Sequence, residues 1–179
     1  MYSVCVFCGT SSGDHPQYAE AAREVARLLV QKGCHIIYGG GKVGLMGMVA
    51  EAALAAGGHV IGVAPKHLIE KEIMHRGLTE LHRVETIHER KVMMTGLADA
   101  FLILPGGYGT LDELFEVLTL RQLEVHDKPC GLLNVDGFFD ALVAYLDHAT
   151  AQGFLQPAYR NMLAVDADPR ALLARIGVP

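Results

Sequence analysis

The chain has 179 residues, 51% of them hydrophobic, with 20 glycines and no tryptophan, so we expect one domain over residues 1–179 with a sizeable core. The formal net charge is −5 and no basic run exceeds two residues, which argues against a nucleic-acid groove that must neutralise many phosphates. No apolar run approaches the roughly 20 residues of a membrane span and the amino terminus lacks the basic flank of a signal peptide, so we expect a cytoplasmic protein that binds neither nucleic acid nor membrane.

Strand-like and helix-like segments alternate along the whole chain. In chain order the sequence predicts a strand at 2–7, a helix at 16–32, a strand at 35–38, a helix at 45–56, a strand at 59–63, a polar connector, a helix at 86–97, a strand at 101–104, a helix from 110, a strand at 129–133, a helix at 138–151, a short strand near 164 and a helix at 169–176. This alternation predicts an α/β fold, a Rossmann-like doubly wound parallel sheet with helices on both faces. Ligands bind such sheets beyond the carboxyl ends of the strands, so the loops after the first strand and after 101–104 should flank the site.

Cysteines and histidines give no sign of a metal or redox centre. The four cysteines lie in or beside predicted strands, where they act as small hydrophobic residues in a reducing compartment. Cys5 and Cys8 have a redox spacing, but a thioredoxin-like pair opens a helix, whereas this pair lies within a strand and points to opposite faces. The nine histidines form no metal-binding motif. We therefore expect no metal.

The segment 105–113 runs from a buried strand through a glycine turn into a helix. Gly106, Gly107 and Gly109 permit positive φ angles and close approach of a ligand to the main chain. Thr110 is the predicted N-cap, and the first-turn N–H groups would then offer an anion site. A structural alternative stays open, because Thr110 and Glu113 match a capping box that would stabilise any helix start.

A second glycine turn, at 39–44, follows the second strand. Gly39, Gly41 and Gly44 match the spacing of the dinucleotide fingerprint, but they do not follow the first strand and no acidic residue for a ribose hydroxyl stands about 20 residues further on. Lys42 is not a Walker lysine, because Val43 stands where a magnesium-binding Ser or Thr is required. Both a nicotinamide enzyme and a kinase are therefore disfavoured.

Arg90 is the remaining residue of interest, early in the helix at 86–97. On its own it is better explained as part of a solvated helix face, and Thr86 with Glu89 forms a second capping box.

Taken together, these motifs resemble the Lonely Guy family of cytokinin riboside 5′-monophosphate phosphoribohydrolases, which are often mislabelled as lysine decarboxylases. The resemblance rests on the segment 105–113, the Glu89-Arg90-Lys91 triplet, the opening segment 8–12 and the glycine turn at 38–47. It covers nearly the whole chain. It implies hydrolysis of the N-glycosidic bond of cytokinin riboside monophosphates, and of AMP, to free base and ribose 5-phosphate, with no metal or organic cofactor.

The resemblance also implies roles for individual residues. Glu113 and Arg90 would be the catalytic pair, the carboxylate stabilising positive charge on the ribose or activating water and the arginine orienting the substrate. The implied substrate- and phosphate-binding residues are Glu72, Lys91, Gly106, Gly107, Tyr108, Gly109, Thr110, Leu111, Asp112 and Thr119. Asp112 departs mildly from the family, since many relatives have Glu there.

The family resemblance further implies a homodimer in which the partner helps to close the active site. Met93 and Met94 could supply apolar surface for that contact, although a place in the core explains them better. The lysine decarboxylase label is disfavoured, because pyridoxal phosphate chemistry needs a Schiff-base lysine and a large cleft. A noncatalytic nucleotide or cofactor carrier on the same fold stays open as an alternative.

Overall fold

A computed structural model of the protein describes residues 1–70 and 74–179. The described residues contain a seven-stranded, wholly parallel sheet, in the order β4-β3-β2-β1-β5-β6-β7. The strands are β1 (Ser3–Phe7), β2 (His35–Tyr38), β3 (Val60–Pro65), β4 (Glu80–Val84), β5 (Ala100–Ile103), β6 (Cys130–Leu133) and β7 (Leu163–Asp166). The helices are α1 (Pro16–Gln31), α2 (Gly44–Ala55), α3 (Lys66–Glu70), α4 (Ile87–Leu97), α5 (Tyr108–Gln122), α6 (Asp140–Ala151), α7 (Pro157–Arg160) and α8 (Pro169–Arg175), with a short 3-10 turn at Val135–Gly137.

Beyond the first residues of β1 and β2, Ser3 and His35, the central strands are apolar and buried because both faces of the sheet are covered. Successive side chains of a strand point to opposite faces, and those of β1 and β5 enter two separate clusters of buried residues. One cluster packs under α1, α2 and α8, and the other under α4, α5 and α6. The predicted doubly wound sheet with helices on both faces is confirmed.

The strand order reverses between β1 and β5, the point at which such folds bind ligands. β1 pairs with β5 in parallel register, and beyond the strand ends the Gly9 N–H donates to the Pro105 carbonyl at 2.9 Å. The loop after β2 packs against the β1 loop at Gly44. The φ of Gly44 is +62°, and a Cβ on this residue would lie 2.3 Å from the carbonyl carbon of Thr10. The loops after β1 and β5 therefore lie side by side, as the sequence predicts.

The described part of the polar connector after Pro65 contains two elements that the sequence did not predict, α3 and the edge strand β4. β4 pairs with β3 on one side and is largely exposed on the other. Its sequence is therefore polar, and it lacks the apolar run by which the central strands were recognised.

The four cysteines are buried free thiols. Cys5 and Cys8 lie in the two different clusters, on opposite faces of the sheet, although Cys8 stands just beyond the end of β1.

Met94 is a core residue of the cluster under α4, α5 and α6, and Met93 is partly buried against that cluster. Among the described helices, none is both long and apolar enough to cross a bilayer.

Candidate active site

The start of α5 differs from the sequence prediction in two respects. The helix begins at Tyr108 with Gly107 as its N-cap, so the prediction that Thr110 caps the helix is wrong. Thr110 instead stands in the first turn with 4% of its surface exposed. Its hydroxyl lies 2.0 Å from the position that a Cβ on Gly106 would occupy. The chain therefore needs glycine at 106 to let Thr110 turn inward.

Contrary to the sequence prediction, the glycines of this turn are not required for positive φ angles. None of Gly106, Gly107 and Gly109 has a positive φ. A Cβ on Gly107 or Gly109 would have no protein atom within 4 Å, so both positions are open to the approach of a ligand. Leu111 donates the first backbone bond of the helix, to Gly107 at 3.1 Å. The N–H groups ahead of it stand at the positive end of the helix dipole, where an anion is favoured.

Glu113 lies one turn further along α5 and points into the protein. It is 9% exposed and its Oε1 lies 3.4 Å from Nη1 of Arg90. The predicted capping box of Thr110 and Glu113 therefore does not form, because both side chains face inward from within the helix and not toward its cap.

Burial dominates the electrostatics of Glu113 and raises its pKa to about 7. Arg90 opposes that shift, while the neighbouring Asp112 adds to it. The Cys5 and Cys8 thiols have pKa values raised chiefly by their own burial and further by the charge of Glu113. Glu113 is thus a carboxyl group in apolar surroundings, poised to change protonation near neutral pH.

Arg90 reaches this carboxylate from α4, which packs on the same face of the sheet as α5. The Thr86 hydroxyl caps α4 by accepting the Glu89 N–H at 3.1 Å, whereas the Glu89 carboxylate accepts the N–H of Glu85 at 2.9 Å and not that of Thr86. Arg90 Nε donates to the carbonyl of Val63 at the end of β3, at 3.0 Å. Only 15% of the arginine side chain is exposed, which excludes the solvated-face interpretation.

Lys91 links the two helices that carry the pair. Its ammonium group lies 2.7 Å from Glu116 and 3.1 Å from Asp112, both on α5, and the hydrogen bond to Glu116 is the main cause of its raised pKa. These contacts fix α4 beside α5 and hold the lysine protonated.

Two concave surfaces adjoin the site. A cavity of about 260 Å³ lies between the β1 and β5 loops and is lined mainly by Gly9–Gly13, Tyr18, Leu45, Pro105–Gly107 and Phe138. A more open groove of about 600 Å³ runs along α5 and contains Lys91, Tyr108, Leu111, Asp112, Phe115, Glu116, Thr119 and Leu120.

The predicted site residues therefore divide into four groups. Gly106 and Gly107 line the cavity between the β1 and β5 loops, and Gly109 follows them in the first turn of α5. Arg90 and Glu113 meet directly, with Thr110 one turn ahead of Glu113. Lys91, Tyr108, Leu111, Asp112 and Thr119 line the open groove, with Tyr108 95% exposed. Glu72 lies outside the described residues.

Sequence reasoning missed three partners of these residues: Gly39, the Val63 carbonyl and Glu116. Glu116 follows Asp112 and Glu113 by about one helical turn, so these carboxylates lie on neighbouring parts of one helix face. This spacing could have indicated a lysine partner. The contacts of Gly39 and Val63 with Arg90 join elements distant in sequence and left no local pattern. Among the described residues, no group of three or more His, Cys, Asp or Glu side chains could hold a metal ion.

Comparison with known proteins places the chain among enzymes that act on nucleotides. A family model described as possible lysine decarboxylase matches residues 46–176. The cytokinin riboside 5′-monophosphate phosphoribohydrolase LOG7 of Arabidopsis thaliana is 46% identical over 173 residues, covering 97% of this chain and 80% of that protein. The phosphoribohydrolase LOG5 of the same plant is 45% identical over 173 residues, covering 97% of this chain and 76% of its own length.

Solved structures agree on the architecture. The molybdenum cofactor binding protein of Rippkaea orientalis superposes with a TM-score of 0.75 over 98% of this chain and 94% of that one. Its sequence identity is 20%, so this likeness shows the fold and leaves the activity to be argued from the site.

Proposed function

Because the chain belongs to the Lonely Guy family of phosphoribohydrolases, we propose that it hydrolyses the N-glycosidic bond of cytokinin riboside 5′-monophosphates, and of AMP, to free base and ribose 5-phosphate. The protein is an enzyme of this type, as the names of relatives at about 46% identity indicate. The single observation that supports the residue-level mechanism is the buried Arg90–Glu113 pair beside an open helix start.

The start of α5 is the proposed seat of the 5′-phosphate. The exposed main chain of Gly107 and Gly109 gives the anion access to N–H groups, and the helix dipole favours its charge there. Binding a phosphate through N–H groups requires no cationic side chain. This anchors one end of the nucleotide one helical turn from Glu113.

Glu113 is the proposed catalytic carboxylate. Departure of the base leaves positive charge on the ribose ring, which an ionised carboxylate at the anomeric carbon stabilises. Water supplies a hydroxyl to that carbon and a proton to the released base, so hydrolysis is balanced without another reactant. With a pKa of about 7, Glu113 can hold the water proton in transit near neutral pH. Arg90 would orient the substrate and keep the carboxylate in place.

The description as a lysine decarboxylase does not fit the site residues. A Schiff-base lysine has to lose its proton to attack a cofactor aldehyde. Lys91, the lysine beside the pair, is held by two carboxylates that raise its pKa, which works against that step. A carrier function gives no reason for a buried ion pair beside the ligand, so the hydrolase is favoured over it.

The open groove along α5 supports a further proposal, that a second copy of the chain covers it. Val92 on α4 is 58% exposed and Phe115 on α5 is 37% exposed, and apolar side chains of this kind are typical of subunit interfaces. A partner seated there would close the groove that contains Lys91 and Thr119. Homodimers are also what the family resemblance implies.

The hydrolase is tested by incubating the protein with AMP and with isopentenyladenosine monophosphate and following free base and ribose 5-phosphate by chromatography. We expect release by the wild type and a loss of about 100-fold or more in Glu113→Gln, because the neutral amide cannot stabilise the developing charge. Glu20→Gln, on the exposed side of α1, is the matched control and should retain full activity. Binding of both nucleotides without release of base would reject the hydrolase and favour the carrier.

A further inference from the structure

Arg90 is held at more points than its ion pair with Glu113 requires. Its Nε donates to the Val63 carbonyl at 3.0 Å and its Nη1 lies 3.4 Å from Glu113. The remaining nitrogen, Nη2, lies against the main chain of Gly39, where a Cβ would come within 2.1 Å of it. The guanidinium group therefore occupies the space that any side chain at position 39 would take.

We propose that Gly39 is a positioning residue for the catalytic Arg90: the bare main chain of Gly39 and the carbonyl of Val63 form a seat that aims the guanidinium group at Glu113. This rests on the proposed function, in which Arg90 and Glu113 act on the nucleotide. The seat is built by the carboxyl ends of β2 and β3, whereas the arginine comes from α4 and the carboxylate from α5.

The backbone conformation does not explain glycine at position 39. Its φ lies outside the left-handed region, unlike that of Gly40, which is +79°. A Cβ on Gly41 would meet the methyl end of Met46, at 2.8 Å, and a flexible side chain can move aside. Within the glycine turn, position 39 is thus the one at which an added methyl group strikes Arg90.

A methyl group at position 39 has to push the guanidinium away from its seat. Ordinary van der Waals contact between the new methyl carbon and the Arg90 nitrogen needs well over 3 Å, so Arg90 must shift by about 1 Å or more. A catalytic group misplaced by about 1 Å can slow a reaction by about 100-fold. Because the planar fork is directional, the shift also alters the contact between Arg90 and Glu113. The Met46 sulfur would lie 3.1 Å from the same Cβ, but Met46 is a flexible side chain that can move aside, so the effect on catalysis should pass through Arg90.

A double-mutant cycle tests this directly, with Gly39→Ala, Arg90→Ala and the double variant assayed on AMP. We expect Gly39→Ala to lower kcat by about 100-fold with little change in KM, and to lower it less than about twofold further when Arg90 is already Ala. Gly96→Ala, on α4 where an added Cβ would have no atom within 4 Å, is the control and should keep wild-type kcat. The proposal is overturned if Gly39→Ala retains activity, or if it causes the same loss in the Arg90→Ala background.

Two further readouts separate positioning from disruption of the turn. In Gly39→Ala the pH midpoint of kcat should differ from that of the wild type, because Arg90 lowers the pKa of Glu113 and its position relative to the carboxylate would change. The urea midpoint of unfolding should fall in Gly39→Ala but not when the substitution is added to Arg90→Ala. An equal fall in both backgrounds would contradict the seat. Should the wild type release no base, the proposed function fails, while the unfolding cycle still decides whether the seat exists.

Discussion

Glu113 shows how one residue can combine two opposed influences. Burial of 91% of its surface favours the neutral acid, and Arg90 at 3.4 Å favours the carboxylate. Burial is the larger effect, so the pKa rises to about 7 from an ordinary value of 4.5. A carboxyl group that is half ionised near neutral pH is suited to acid–base work, and the same shift makes it unfavourable for the fold at alkaline pH.

The stability of the protein should therefore carry a pH dependence that belongs to Glu113. Since its pKa is higher in the folded than in the unfolded state, its contribution to stability is fully present below about pH 4.5 and is lost as the pH rises through 7. The free energy of unfolding of the wild type, relative to Glu113→Gln, should fall by about 3 kcal/mol between pH 4.5 and pH 8.5.

Urea unfolding of the two proteins across that range measures the difference. Other titrating groups are common to both chains, so their contributions largely cancel. A difference that stays constant from pH 4.5 to pH 8.5 would show that Glu113 does not have the raised pKa that the site requires.

At the scale of elements, the cap of α4 matters because Arg90 stands in the first turns of that helix. The Thr86 hydroxyl accepts the Glu89 N–H at 3.1 Å, and loss of such a cap costs about 1 kcal/mol. We expect Thr86→Ala to lower the free energy of unfolding by that amount and to reduce kcat, because fraying would loosen Arg90.

Thr86→Ser is the matched control, since serine retains the capping oxygen and should remain within about 0.5 kcal/mol of the wild type. Urea unfolding and AMP hydrolysis are measured on all three proteins. Equal losses in the Ala and Ser variants would contradict a role for the hydroxyl.

At the scale of the whole molecule, the proposed dimer links assembly to activity. Val92→Glu places a charge in the apolar surface formed by α4 and α5, where a buried unpaired charge is strongly unfavourable. We expect sedimentation velocity to show a dimer for the wild type and a monomer for this variant, together with a loss of AMP hydrolysis.

Phe154→Glu serves as the control, because Phe154 is 90% exposed beyond the end of α6 and belongs to neither α4 nor α5, which form the proposed interface. It should remain dimeric and active. A wild-type chain that sediments as a fully active monomer would rule out the dimer as a requirement.

Sequence patterns determined most of the architecture because the central elements are locally encoded. The apolar runs of β1, β2 and β5, the amphipathic α1 and the glycine turns identify the doubly wound sheet without reference to distant residues. The sequence did not predict edge strand β4, because a strand with one open edge and exposed side chains needs no apolar run. The N-cap of α5 was misplaced by three residues, at Thr110 in place of Gly107, because threonine is a common N-cap residue but Thr110 packs inward against Gly106.

For the site, the sequence alone named Arg90 and Glu113 through the family motif, and the relatives confirm the family. What only the tertiary structure decided is how the pair is held: α4 and α5 bring residues 90 and 113 together beneath the helix start, and strands β2 and β3 supply Gly39 and the Val63 carbonyl. The raised pKa of Glu113 is likewise a property of the packed protein. Burial and through-space charge depend on elements that are distant along the chain, so no local pattern of residues encodes them.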